Sequence, residues 1–252
     1  EKLPLLGIAA ALSFLGMMFN VPLPGGTTGH AVGGTLIAIL FGPYAACLSV
    51  SVALLIQALF FGDGGILAFG ANCFNMAFVL PFTGYAVYRF LRKRLTASSG
   101  EYMAAGLGAY VGINAAALVA AIEFGIQPLL FTDAAGQALY CPYPLWISVP
   151  AMMIGHLTIF GLAEVIFTTT VLAYLRKTSP DLFQSVRMKT NRALYGLIAA
   201  LIVCTPLGLL AAGTAWGEWD PEELADQDFL GTALGRLFHL IICLLFLRRS
   251  LL

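Results

Sequence analysis

The chain has 252 residues, of which 60% are hydrophobic and only 10% charged, and its formal net charge is zero. A balance of that kind provides no basic field for nucleic acid, and no segment resembles a nucleic-acid-binding module. Mean hydropathy is +0.88, and the few charges are bunched, so the apolar runs between them reach the length that a hydrocarbon layer of about 30 Å demands. The predicted fold class is all-α, a polytopic helical membrane protein of about seven to eight transmembrane helices.

The first apolar run covers Leu3 to Phe19 and ends at V-P-L-P-G-G-T-T-G-H-A-V-G-G, residues 21–34. Two prolines and five glycines in fourteen residues free backbone groups that hydrocarbon cannot satisfy. Such chain at membrane depth must be buried in protein or line a cavity, so a re-entrant or dipping loop is predicted at 21–30, with His30 at the wall of a pocket. The following run, Ala31 to Phe41, makes only about 17 Å of helix. It is too short to span alone, which again requires the loop before it to dip inward. Gly33 and Gly34 are expected on one helical face with His30, where their missing side chains admit a neighbouring helix.

A turn at Gly42-Pro43 precedes a third run, Tyr44 to Phe61, which closes on Gly62-Asp63-Gly64-Gly65. A fourth, Ile66 to Leu91, carries Asn72 and Asn75 and a kink expected at Pro81. The fifth, Tyr102 to Ile126, is rich in Gly and Ala, as close helix packing requires. A loop from Gln127 to Pro144 leads to the sixth run, Leu145 to Leu175, which contains His156 and Glu164. A seventh spans Ala193 to Ala212, an acidic segment follows at 218–228, and the last run is Leu230 to Leu247. With Glu1 inside, twelve of the thirteen Lys and Arg residues fall on or beside the cytoplasmic face, Arg236 being the exception. The positive-inside rule selects that topology and places the Pro-Gly-His pocket on the outer face.

An outward pocket suits capture for uptake. No segment matches the P-loop pattern G-x-x-x-x-G-K-[ST], so the energy comes from an ion gradient or from partner subunits. Imidazole suits Zn, Cu, Fe and Ni, and Thr27, Thr28, Asp63, Asn72 and Asn75 add oxygen and amide groups at similar depth. The five cysteines show no metal-type spacing. His156 and Glu164, about 12 Å apart along a helix and so unable to pair directly, are each expected to pack buried against a neighbouring helix. His239 is likewise expected to pack, Asn72 and Asn75 to hydrogen-bond between helices, and Asp63 to stabilise its own glycine turn.

Four blocks carry a resemblance: P-G-G-T-T-G-H-A-V-G-G-T-L at 24–36, Q-A-L-F-F-G-D-G-G-I-L-A-F-G-A-N-C-F-N-M at 57–76, P-F-T-G-Y-A-V-Y-R at 81–89 and G-H-L-T-I-F-G-L-A-E-V-I-F-T at 155–168. In that order they resemble the substrate-capture membrane subunit of nickel and cobalt energy-coupling-factor transporters, the NikM/CbiM family. The stretch P-L-G-L-L-A-A-G-T-A-W-G-E-W-D-P-E-E-L at 206–224 is similar to the small accessory subunit fused to it in some members. The resemblance implies a metal-capture membrane domain at 1–180 and a NikN-like accessory transmembrane segment at 193–252. It implies Ni²⁺ or Co²⁺ as the transported substrate, ATPase subunits and a scaffold transmembrane subunit as partners, and a place in the cell membrane. In that family the metal is held by an N-terminal Met-His pair together with the histidine of the G-G-T-[ST]-G-H block, and only the latter has a counterpart here, His30. The chain opens with Glu1-Lys2, and a further helix before Glu1 would begin outside, on the face of His30.

The expected function is therefore the ion-capturing component of a multi-subunit importer, with His30 as metal ligand, and not an enzyme. A capture subunit for a small organic vitamin is the alternative, and would leave the pocket without metal. An intramembrane hydrolase would need a nucleophile near His30 or His156; Thr27, Thr28 and Thr158 are the nearest hydroxyls, and no nucleophile motif surrounds them.

Overall fold

The computed structural model describes residues 3–23, 27–61, 63–65, 68–97, 99–139 and 141–180. The runs expected at 193–212 and 230–247, the acidic segment at 218–228, His239 and the proposed accessory segment at 193–252 lie outside the described residues. Within them the chain is mostly helical. Helix α1 is Leu3–Met17, α2 is Gly34–Phe41 and α3 is Pro43–Phe61. Helix α4 covers residues 69–92, α5 is Gly100–Leu130 and α6 is Leu145–Thr178. Among the described residues three helices, α3, α5 and α6, are long and apolar enough to cross a membrane. At 31 and 34 residues, α5 and α6 reach about 46 and 51 Å.

The proline- and glycine-rich stretch is a β-hairpin and not irregular chain. Strand β1, Val21–Leu23, pairs antiparallel with β2, Thr27–Gly29, in the register Val21 opposite Gly29 and Leu23 opposite Thr27. The physical reason is the one that suggested a dip. Backbone groups that cannot form a helix must find partners where water is scarce, and here they find each other. A two-stranded ribbon also tolerates Pro22, because every strand in it is an edge.

A second difference concerns Gly33 and Gly34. Helix α2 starts at Gly34, and Gly33 sits before it with φ of 71°, so His30 precedes the helix and shares no face with the two glycines. Their lack of side chains is still required. A Cβ on Gly33 would lie 2.6 Å from Cε1 of Phe167, and one on Gly34 would lie 2.7 Å from Cδ2 of Leu80. Helix α5 also runs four residues past the expected Ile126, through Pro128 to Leu130.

The body is held by small-residue contacts. A Cβ on Gly108 would come within 2.6 Å of the Gly84 carbonyl oxygen, and one on Gly112 within 2.7 Å of that of Leu80, so the α4 and α5 backbones nearly touch. Without a hydrophobic force between helices in lipid, this close approach supplies the packing attraction. The buried core, including Leu36, Ile37, Val50, Leu80 and Leu172, surrounds α2. Helix α2 is buried along almost its whole length, as a short helix that does not face lipid should be.

Three stretches of the described helices widen into π-helical turns: Gln57–Phe61 ending α3, Cys73–Val79 inside α4 and His156–Phe160 inside α6. Such turns gather at functional sites. In α4 the widening ends just before Pro81, where a kink was expected. Pro81 lies in the first turn of the α-helical part that follows, where its missing N–H is harmless. At the opposite end the basic residues collect. Arg92 donates to the Leu95 carbonyl, and Arg176 at the end of α6 pairs with Glu101 at the start of α5.

Candidate metal-capture site

His30 stands in the short coil between β2 and α2, and that coil is clamped on several sides. On the α1 side, Ser13 Oγ donates to the Val32 carbonyl at 2.8 Å. From α6, the Glu164 carboxylate accepts the Val32 N–H at 2.7 Å and the Gly33 N–H at 3.0 Å. Gly29 lies so close to Phe160 that a Cβ there would meet its ring at 2.3 Å. Phe160 in turn packs against the His156 ring, centroid to centroid 5.1 Å. The backbone that carries the imidazole is thus fixed from α1 and from α6.

Its side chain is half-buried, and Nδ1 is shielded from solvent with no hydrogen-bond partner among the described residues. Burial, with His156 nearby acting in the same direction, pushes its pKa from 6.5 down to about 4. The ring is neutral at ordinary pH and carries a free lone pair, the state in which imidazole binds metal.

His30 lines a small cleft together with Gln57, Asp63, Asn72 and Met76. Asp63 accepts from Asn20 Nδ2 at 3.1 Å and from Gln57 Nε2 at 3.2 Å. Asn72 also holds the glycine turn that carries Asp63, donating to the Gly64 carbonyl at 3.0 Å. A carboxylate, a carboxamide and an imidazole face one space, supplied by the glycine loop, the π-helical end of α3 and the coil before α2. Among the described residues no group of three or more His, Cys, Asp or Glu stands together as a metal cluster.

The other sequence candidates separate. Asn75 turns away from the cleft and donates to Glu123 on α5 at 2.7 Å, the interhelical bond expected of it. His156 packs as expected, its Nδ1–H donating to the Met152 carbonyl at 2.9 Å. Glu164 does more than pack between helices. Its partners are main-chain amides 131 and 132 positions earlier, which no side-chain pattern announces; the one available signal was an ionisable residue inside an apolar run. The side chains of Thr27 and Thr28 lie outside the described residues. Cys47, Cys73 and Cys141 are buried and free.

Residues 1–182 match the family described as the cobalt uptake substrate-specific transmembrane region, CbiM. The chain belongs to this family. A relative from Lactiplantibacillus plantarum, described as a probable fused nickel transport protein, LarMN, is 56% identical over 228 residues, covering 90% of this chain and 68% of its own length. The fused nickel transport protein NikMN of Rhodobacter capsulatus is 53% identical over 232 residues, 90% of this chain and 67% of that one. A crystal structure of a transition metal transporter superposes with a TM-score of 0.68 at 48% identity, covering 80% of this chain and 83% of the other. This CbiM-type chain is accordingly a membrane transport protein, and its relatives are named as transporters and not as enzymes.

Proposed function

We propose that this chain is the substrate-binding membrane component of an ATP-driven nickel or cobalt importer and that it captures the divalent ion from the outer face of the cell membrane. The observation that carries the reading is His30: a neutral imidazole with an unpartnered Nδ1, held at the edge of a cleft that also presents Asp63 and Gln57. Imidazole is a good ligand for late first-row divalent ions. A carboxylate across the cleft adds attraction for a cation and supplies a hard oxygen. The names of the CbiM family and of its nickel-transporting relatives agree with that donor chemistry.

The outer-face assignment rests on charge. Arg92, Arg176 and Lys177 lie at helix ends remote in sequence from the hairpin, and the positive-inside rule puts them in the cytoplasm. Because the sequence has no P-loop of its own, ATP hydrolysis belongs to separate subunits, joined through a scaffold subunit. Residues 1–180 form the capture domain in this reading, and 193–252 the accessory transmembrane segment.

The test is metal analysis of the purified full chain after equilibration with Ni²⁺ or Co²⁺, with His30→Ala beside it. Loss of bound metal in the variant is expected. Unchanged stoichiometry removes His30 from the site.

A further inference from the structure

We infer that Glu164 is a positioning residue for metal capture: its carboxylate, reaching from α6, fixes the backbone that carries His30. The inference rests on the capture reading above and extends it to a residue of the opposite helix. Glu164 is fully buried, with 0% of its surface exposed, yet no basic side chain pairs with it among the described residues. What it binds is the main chain. Oε2 accepts the Val32 N–H at 2.7 Å, and both carboxylate oxygens stand 3.0 Å from the Gly33 nitrogen.

Two successive N–H groups converging on one anion, with a left-handed glycine beside them, form the backbone concavity that binds anionic groups elsewhere. Here the acceptor, the Glu164 carboxyl group, is built into the protein. The same two amides precede the first turn of α2, so the carboxylate also meets the positive end of that helix. Burying a carboxylate is costly unless it is fully hydrogen-bonded, and a sequence seeking only helix packing would place Leu or Gln at 164. A charged acceptor holds two donors more tightly than a neutral one. The coil has little freedom left: Ser13 fixes the Val32 carbonyl, Glu164 its N–H, and Phe160 and Phe167 of α6 crowd Gly29 and Gly33. These restraints all fall on backbone within three residues of His30. The ring is pre-placed while its nitrogen stays available, which is how groups behind a metal ligand act on affinity.

The experiment titrates Co²⁺ into the detergent-solubilised full chain, following its d–d absorption bands and the thermal unfolding of the metal-free protein. Wild type, Glu164→Gln, Glu164→Asp and His30→Ala are compared. Glu164→Gln should remain folded, bind Co²⁺ about 10- to 100-fold more weakly and shift the d–d bands, because the geometry at the ion changes. Glu164→Asp keeps a carboxylate on a shorter stem and should recover part of the affinity; if the glutamine variant does not fold, the aspartate variant decides alone, by weaker binding with altered bands. Either variant, folded and binding with wild-type affinity and spectrum, overturns the inference. His30→Ala separates the two levels: wild-type binding there means the capture reading itself has failed, whereas its loss beside unaffected Glu164 variants means only the positioning role has.

Discussion

The Asn20 side-chain amide donates to Asp63 across 43 positions of sequence, at 3.1 Å to Oδ2 and 3.4 Å to Oδ1. This bond ties the chain just after α1 to the glycine loop at the cleft. Gln57, itself only 3% exposed, donates to the same carboxylate. Asp63→Ala would leave two amides without this acceptor, and buried donors stripped of an acceptor cost about 1–3 kcal/mol. The expected result is a lower unfolding temperature in detergent, with Asp63→Asn intermediate because it keeps the shape and loses the charge. An unfolding temperature equal to wild type in Asp63→Ala would show that the cleft is not braced this way.

Acid should act on His30 in a defined window. Burial holds its native pKa near 4 against 6.5 in the unfolded chain, so below 6.5 the unfolded state takes a proton that the native state refuses. Its contribution to stability is therefore complete above 6.5 and declines as pH falls from there to about 4. Metal binding needs the lone pair and should persist through pH 6, failing only as the medium approaches about 4. A Co²⁺ titration at a series of pH values measures this directly. A midpoint at the ordinary imidazole value would mean that the ring is solvated.

How far the sequence could be read follows from the kind of interaction involved. Helix positions were legible because the apolar runs had the length of a bilayer: Leu145–Thr178 extends the predicted run by only three residues. His30 at a pocket wall was legible because Pro22 and the glycines forbid a lipid-facing helix. The hairpin was not, since antiparallel pairing of Val21 with Gly29 is one of several ways to satisfy freed backbone. The π-helical turns were equally hidden, because they depend on partners such as Tyr110, whose hydroxyl donates to the Leu157 carbonyl at 2.8 Å. Glu164 was visible as an anomaly, but its partners are amides, and every residue but proline carries one.

The contact between α4 and α5 predicts a sharp difference between glycines. Alanine at Gly108 would drive a methyl to 2.6 Å from a backbone oxygen, which cannot rotate away as a side chain can. Overpacking of this sort costs about 1–3 kcal/mol. Gly7 on α1 has nothing within 4 Å of the corresponding position, and alanine there should be neutral or stabilise by up to about 1 kcal/mol through helix propensity. Thermal unfolding of Gly108→Ala and Gly7→Ala should move in opposite directions, or the second not at all. Equal destabilisation by both would remove close backbone approach as the explanation.

The ion pair of Arg176 with Glu101 should matter little. The arginine side chain is 35% exposed and the glutamate 13%, and pairs open to water and salt contribute at most about 1 kcal/mol. Glu101→Gln is expected to shift unfolding by less than that, and still less in high salt. A large loss would assign the pair a role beyond surface electrostatics.

Asn75 and Glu123 present the opposite case. Asn75 is 5% exposed, and its amide donates to Glu123 at 2.7 Å between α4 and α5. In lipid a carboxyl group that loses its partner has no water to turn to. Hydrogen bonds between membrane helices nevertheless average only about 0.6 kcal/mol, because the unfolded chain in a bilayer also finds partners. The charge-assisted geometry here argues for the upper part of that range, about 1–2 kcal/mol. Asn75→Leu, Glu123→Leu and the double substitution form a cycle that isolates the pair from the packing each leucine alters. A coupling of that size is expected, with Glu123→Leu the milder single change, since it removes the carboxyl group and leaves only a neutral amide unpaired. If the two substitutions add without coupling, the bond contributes nothing to holding α4 against α5, and the glycine contacts at 84, 108 and 112 carry that interface alone.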